Sequence, residues 1–151
     1  MKKLFMVASM ALAIVSLNSC GSDDGGNGGV SSAKLIGKWE HDTEKVTAAG
    51  QVLQPEQAYS ENEPGCSKDY IQFAENGTFT LGDYWSSDCD LDTTAASWTI
   101  DGKDVTVSGT NVDTETFTVV SVSATKLKVK YVEAINGVNF TEEYTFTKAA
   151  Q

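Results

Sequence analysis

Apolar and polar side chains alternate with a period of two through most of the sequence, and this pattern constrains the fold more than any other feature. The alternation runs through residues 70–73, 78–81, 97–100, 105–108, 117–119, 126–131 and 138–146, which are rich in Val, Thr and aromatic residues. A period of two places successive side chains on opposite faces of a β-strand, so these segments predict half-buried strands. With a first strand over 36–42, the sequence predicts an all-β domain of about eight strands.

Three dipeptides between these segments predict tight hairpins. Asn76-Gly77, Asp101-Gly102 and Asn136-Gly137 each separate two alternating segments. Asn, Asp and Gly tolerate the positive φ angles that a two-residue type I′ turn requires. The strands that flank each dipeptide are therefore expected to pair antiparallel.

Eight short sequential strands, each apolar on one face, must cover or pair their edges. Closure into an up-and-down barrel removes the edges altogether, whereas a two-sheet sandwich would show the same alternation. The pattern by itself leaves both architectures open.

The N-terminal segment has the organisation of a secretory signal peptide. Lys2 and Lys3 precede an apolar run over 4–17 that is too short for a permanent transmembrane helix. The following Leu17-Asn18-Ser19-Cys20 resembles the lipobox of bacterial lipoproteins, in which the cysteine is diacylated, commonly with palmitate, and becomes the mature N-terminus. Residues 1–19 are therefore expected to be cleaved, and Cys20 is expected to anchor the protein in a membrane.

Residues 20–33 have the composition of a linker. Five glycines lie between positions 21 and 33, and Val30 is the one large apolar residue there, so we expect a flexible tether. Gly21-Ser22-Asp23-Asp24 resembles the acidic signal that directs lipoproteins of Bacteroides-type bacteria to the outside of the outer membrane. This resemblance implies a lipid-anchored protein of the outer membrane, exposed at the cell surface; the alternative is that the two aspartates only keep the linker solvated.

The charge balance excludes two classes of partner. The formal net charge is −10, and the sequence contains no arginine. Nucleic acid and anionic membrane surfaces both require a basic footprint, so neither is expected as a partner. Residues 34–148 are long enough for one domain with one core.

The start of this domain resembles the lipocalins. Leu35-Ile36-Gly37-Lys38-Trp39 contains the Gly-x-Trp motif of the first lipocalin strand, in which the tryptophan closes one end of the barrel. Together with the lipobox, the two later cysteines and the tryptophan before a hairpin, residues 34–148 are similar to the lipocalin-like domains of Bacteroides-type surface lipoproteins. The resemblance implies an eight-stranded antiparallel up-and-down barrel, closed or half-open. Two features depart from the wider pattern, since no arginine is present to pack over the tryptophan and no helix follows the last strand.

Two cysteines remain once Cys20 carries lipid. Cys66 precedes the strand around Ile71, and Cys89 follows its hairpin partner around Leu81. An extracytoplasmic location permits oxidation, so we expect a disulfide that joins both ends of one hairpin. Closing a loop of this length is worth roughly 3 kcal/mol in the chain-entropy description.

No catalytic, metal or cofactor site is predicted. His41 is the one histidine, and the sequence lacks the Gly-x-Ser-x-Gly motif of many hydrolases, so we do not expect an enzyme. Asp88, Asp90 and Asp92 are spaced like the first calcium ligands of an EF-hand. The sixth and twelfth positions of that loop are threonines rather than Gly and Glu, so a solvated acidic loop is favoured, although a loose calcium site remains open.

The segment 43–68 is longer than a hairpin requires, and such loops often contribute to binding. Val46 and Val52 are expected to extend the first strand, and residues 55–58 to form one helical turn that starts at Pro55. Tyr59 is expected to meet Tyr84 and Trp85 at one barrel end. These aromatic side chains suit sugar faces or apolar ligands, unless they simply cap the core.

Two functions remain from this reasoning. The first is binding of a small apolar molecule or lipid by a monomeric barrel. Its candidate ligand-binding residues are Phe73, Phe79, Leu81, Tyr84, Trp85, Trp98, Tyr131 and Phe140. The second is an accessory role, in which a filled barrel presents its loops to a protein or a glycan. The internal volume of the barrel distinguishes the two.

Overall fold

A computed structural model describes residues 29–110 and 112–150. The predicted signal peptide, Cys20 and the tether up to residue 28 lie outside these residues. The described residues form one short helix and nine strands: α1 Ser32–Leu35, β1 Gly37–Ala48, β2 Gln51–Ala58, β3 Tyr70–Phe73, β4 Thr78–Tyr84, β5 Leu91–Asp101, β6 Asp104–Gly109, β7 Val112–Val122, β8 Lys126–Ile135 and β9 Val138–Lys148.

Eight of these strands close into an antiparallel barrel. From β3 to β9 each strand pairs with the next along the chain, and β1 pairs with β3 along one edge and with β9 along the other. The β1–β9 pairing extends from Trp39 opposite Lys148 to Ala48 opposite Phe140. The predicted up-and-down barrel is confirmed in its closed form, because this pairing removes the edges that a sandwich would leave.

The ninth strand, β2, was not predicted. It pairs only with the second half of β1, and Ala49 and Gly50 connect the two strands with φ angles of 49° and 79°. The helical turn predicted at Pro55 is wrong, since Pro55 lies inside β2. Proline is tolerated in a strand whose N–H faces away from its only partner, and β2 is such an outer strand.

The three predicted hairpins form, although their turns differ. Asn136 and Gly137 have φ angles of 51° and 79°, so this turn is of type I′. At the other two positions only the glycine has a positive φ, 81° at Gly77 and 61° at Gly102. The dipeptides therefore located all three hairpins and predicted the turn type of one.

Trp39 closes the end of the barrel next to α1. Its side chain is fully buried, and its Nε1 donates a hydrogen bond of 2.6 Å to the carbonyl oxygen of Leu35. Val30 packs against the same core, and its N–H donates to the carbonyl oxygen of Gly102 at 2.8 Å. Residues 29–33, which were predicted as part of the flexible tether, therefore lie against the barrel.

Lys148 covers the outer face of Trp39. Its Nζ lies 4.9 Å from the centroid of the Trp39 ring, within the range of a cation–π interaction. Gly37 leaves room for this side chain, because a Cβ at Gly37 would come within 2.8 Å of Lys148 Cε. A lysine at the end of β9 thus packs over the tryptophan in a sequence that has no arginine.

Cys66 and Cys89 form the predicted disulfide, and their Cα atoms are 5.4 Å apart. Cys66 precedes β3 and Cys89 follows β4, so the bridge joins both ends of the β3–β4 hairpin. Cys89 lies in the β4–β5 loop and has a φ of 59°.

Candidate functional site

Aromatic side chains fill the half of the barrel nearest Trp39. Phe73 contacts Phe79 and Trp98 edge-on, with ring centroids 5.4 and 5.0 Å apart. All three side chains are less than a tenth exposed. An eight-stranded barrel has little interior beyond what such side chains occupy, so they pack this half of the core.

The other half of the barrel contains a cavity of about 90 Å³. Its lining comes from all eight barrel strands and is mainly apolar. The lining residues are His41, Ile71, Phe79, Leu81, Thr94, Ala96, Val107, Val112, Asp113, Glu115, Phe117, Tyr131, Tyr144 and Phe146. Most of them are the inward-facing members of the alternating pattern.

His41 is the most unusual group in this lining. Its side chain is 6% exposed, and its ring stacks on Tyr59 at 4.0 Å and contacts Phe146 at 4.3 Å between centroids. Nδ1 is buried and has no hydrogen-bond partner among the described residues. Burial lowers the pKa of His41 to about 3, because water cannot solvate an imidazolium there. The imidazole is therefore neutral at physiological pH.

Three tyrosines surround this end of the interior. Tyr144 lies 6.0 Å from Tyr59 and 5.8 Å from Tyr131, measured between ring centroids. Its hydroxyl donates a hydrogen bond of 2.9 Å to Glu142 Oε2. Burial raises the pKa of all three phenols, so they remain neutral. The rings offer π-faces, and no phenolate charge arises to repel an anion or attract a cation.

Two carboxylates of β7, on Asp113 and Glu115, also line the cavity. The pKa of Glu115 is raised, first by its burial and then by the negative charge of Asp113. Glu115 in turn helps to raise the pKa of Tyr131. Negative charge therefore accumulates where the cavity meets Tyr131.

The loop over 59–69 places Tyr59 on His41. The N–H of His41 donates to the carbonyl oxygen of Asp69 at 2.8 Å, and the N–H of Tyr84 donates to Asp69 Oδ1 at 2.7 Å. Asn62 Oδ1 accepts the N–H of Asp69 at 2.9 Å. These bonds attach the loop to β1 and β4. Burial, with smaller contributions from Asp83 and Glu61, raises the pKa of Asp69 to about 6 despite the Tyr84 hydrogen bond.

The predicted ligand-binding residues separate into three groups. Phe79, Leu81 and Tyr131 line the cavity. Phe73 and Trp98 are buried in the filled half of the barrel. Tyr84, Trp85 and Phe140 are not part of the cavity lining.

The convergence of Tyr59 with Tyr84 and Trp85 at one barrel end stays a prediction. Tyr59 packs onto His41 at the interior, whereas Trp85 is 52% exposed in the loop after β4.

Sequence reasoning overlooked several lining residues, among them His41, Phe117, Tyr144 and Phe146. His41 lies two positions after the buried Trp39, and Tyr144 lies two before Phe146. Extending each inward face by one more step of the alternation would have found both. The two β7 carboxylates carried no such signal, because acidic residues on a strand are usually solvated.

Within residues 29–110 and 112–150, no group of three or more His, Cys, Asp or Glu side chains is arranged to hold a metal ion. Asp92 lies in β5, while Asp88 and Asp90 lie in the loop before it. Ser86 Oγ donates a hydrogen bond to Asp90 Oδ2 at 3.0 Å.

Comparison with known proteins identifies the family of this barrel. The family model described as a lipocalin-like domain matches residues 35–129. No curated protein matches the sequence.

Two solved structures share the fold. A lipocalin-like protein from Bacteroides uniformis is 16% identical, with a TM-score of 0.55 and coverage of 77% of this chain and 99% of that one. An uncharacterized protein from Bacteroides eggerthii is 13% identical, with a TM-score of 0.51 and coverage of 76% and 99%.

Proposed function

This chain belongs to the lipocalin-like domain family, and we propose that it binds a small, largely apolar molecule in the cavity of its barrel. Proteins with this fold are generally binding proteins rather than enzymes. The observation that carries the proposal is the cavity of about 90 Å³ among Phe79, Leu81, Phe117 and Tyr131, opposite a fully packed end. Larger side chains that filled this space would stabilise the barrel, so stability alone does not account for the cavity.

The volume limits the size of the ligand. An apolar cavity of about 150 Å³ holds benzene, and typical pockets for drug-sized molecules exceed about 300 Å³. A cavity of about 90 Å³ therefore suits a ligand of a few carbon atoms, or the end of a longer molecule that emerges at the mouth.

The proposal includes a location for this binding. We infer that the protein is a monomer tethered through acylated Cys20 to the outer membrane, at the cell surface. The lipobox-like sequence before Cys20 and the acidic residues Asp23 and Asp24 support this inference. No helix among the described residues has the length and apolar character to cross a membrane.

The ring resonances of His41 provide a direct test of binding, because the sequence has one histidine and it lines the cavity. Titration of the domain with 1-butanol is expected to shift these resonances saturably in an NMR spectrum. Ala96→Leu should abolish the shift, because Ala96 lines the cavity and the larger side chain fills it.

Ala95→Leu is the matched control, since the neighbouring Ala95 is exposed on the opposite face of β5. This variant should bind 1-butanol like the parent. A non-saturable shift, or equal shifts in the parent and in Ala96→Leu, would show that the cavity does not take apolar ligands.

An accessory role is the second candidate, favoured by exposed apolar residues on β2. Val52 and Leu53 are 56% and 59% exposed on a strand that pairs along one edge only. Such an edge can pair with an extended segment of another protein. Failure of the 1-butanol experiment would leave this role as the better supported one.

A further inference from the structure

We propose, on the basis of the binding function above, that the ligand is a small aliphatic amine whose ammonium group lies at Asp113 and Glu115 and whose apolar part enters the cavity. The inference concerns the chemistry of the ligand and adds a polar requirement to the apolar one. It rests on three independent features of the cavity: its charge, an unpartnered polar atom and its aromatic lining.

The first feature is negative charge without a counter-ion. Asp113 and Glu115 line the cavity, and among the described residues neither forms an ion pair. The lysines of β8 do not supply this charge, because they alternate with the inward-facing Leu127, Val129 and Tyr131. On the outer wall of the barrel, Lys128 Nζ lies 3.3 Å from Glu143 Oε2. A cationic ligand would supply the missing positive charge.

The electrostatic state of Glu115 agrees with this assignment. Its pKa is raised by burial and by the nearby Asp113, so the ionised form is disfavoured in the free protein. An ammonium group between the two carboxylates would replace their repulsion by attraction. Hydrogen bonds between charged groups are also the stronger kind, and a half-buried site screens them less than open water does.

The second feature is Nδ1 of His41. This atom is buried without a hydrogen-bond partner, on a side chain that lines the same cavity. A buried polar atom without a hydrogen bond destabilises the free protein, and a ligand N–H that reached Nδ1 would remove that cost. The neutral imidazole has one unprotonated nitrogen, which accepts a hydrogen bond from an N–H group.

The third feature is the aromatic surface beside the carboxylates. Phe117 and Tyr131 have ring centroids 5.2 Å apart, and Tyr144 lies 5.8 Å from Tyr131. The faces of such rings attract ammonium and alkylammonium groups. An anion gains nothing from these faces and is repelled by the two carboxylates, so the same lining disfavours carboxylate ligands.

Three probes with the same four-carbon chain separate charge from apolar contact: n-butylamine, 1-butanol and butyrate. Binding is followed by the His41 ring resonances at pH 7 and physiological salt. We expect n-butylamine to bind about tenfold or more tightly than 1-butanol, as one charged hydrogen bond would provide. Butyrate is expected not to bind measurably.

Glu115→Gln tests the residue responsible. It removes the charge of the half-buried carboxylate and keeps its size, so the preference for the amine should fall below about threefold while 1-butanol binds as before. Unchanged binding of 1-butanol also shows that the variant is folded.

Glu75→Gln is the matched control, because Glu75 is exposed in the β3–β4 turn and its substitution changes the net charge equally. It should retain the full preference for the amine.

The outcomes distinguish this inference from the function on which it rests. Equal affinity for amine and alcohol would overturn the amine assignment, and a preference that survives Glu115→Gln would overturn the placement of the ammonium group at Glu115. Either result would leave apolar binding intact. Absence of saturable binding by all three probes would overturn both.

Discussion

At the scale of single residues, burial determines the chemistry of the interior. His41 and the three tyrosines are ionisable side chains, yet desolvation keeps all four neutral at physiological pH. Asp69 is also buried, and its pKa of about 6 lies above the usual range for a carboxyl. The charges that remain at the cavity are those of the β7 carboxylates, which is why these decide the class of ligand.

His41 should resist protonation until strongly acidic pH. Its folded pKa of about 3 lies below the usual 6.5, so protons bind preferentially to the unfolded chain. The stabilising contribution of the neutral imidazole is complete above pH 6.5 and is lost as the pH falls toward 3. NMR titration should show no change in the His41 ring resonances between pH 7 and 5.

His41→Phe supplies the matching stability measurement. The free energy of unfolding of the parent, relative to this variant, should decrease by at most about 1.4 kcal/mol per pH unit as the pH falls below 6.5. Asp69 is present in both proteins, so its own titration cancels in the difference. A His41 midpoint near pH 6.5 would contradict the burial described above.

At the scale of elements, the β3–β4 hairpin and the loops that flank it form one mechanical unit. The disulfide joins its ends, while Asp69 links the start of β3 to Tyr84 at the end of β4. The loop that places Tyr59 on His41 ends at this unit. The position of Tyr59 on His41 therefore depends on restraints that lie outside the barrel core.

Cys89→Ser should lower the free energy of unfolding by about 2–4 kcal/mol, because the unfolded chain regains the freedom that the bridge removes. The barrel core does not include this loop, so the β-sheet signal in circular dichroism should persist. Denaturation of the parent under reducing and non-reducing conditions should reproduce the difference.

Cys66→Ser serves as the companion variant, since loss of either thiol opens the same loop. Two titratable thiols in the non-reduced domain spanning residues 29–150 would contradict the pairing itself.

At the scale of the whole molecule, closure of the barrel and attachment to a membrane are separate properties. Closure depends on hydrogen bonds between β1 and β9, the first and last strands. The proposed attachment depends on Cys20, which precedes all described residues. Val30 and α1 pack at the Trp39 end of the barrel.

Acylation of Cys20 is the prediction that belongs to this scale. Mass spectrometry of the protein extracted from its native membrane should find an N-terminus at Cys20 with attached acyl chains. Cys20→Ser should release the protein from the membrane fraction without changing 1-butanol binding by the domain. Recovery of an unacylated parent protein in the soluble fraction would contradict the anchor.

The sequence by itself determined the strands, their inward faces and the hairpins, because these depend on local chemistry. Alternation at Ile71 and Phe73, or at Leu127 and Val129, specifies which side of a strand is buried wherever that strand lies. The dipeptide at Asn136 permits a tight reversal for the same local reason. β2 was missed because Ala49-Gly50 is a weaker form of this signal and Pro55 was interpreted as the start of a helical turn.

Only the tertiary structure decided closure, the cavity and the state of its polar groups. A closed barrel and a sandwich share one alternating pattern, and they differ in whether β1 and β9 pair across the length of the chain. The cavity is the volume left after side chains from many strands have packed, so the sequence of a single segment does not predict it. Likewise, His41 is neutral, and Glu115 has no counter-ion among the described residues, because of residues distant in sequence whose packing controls both solvation and charge.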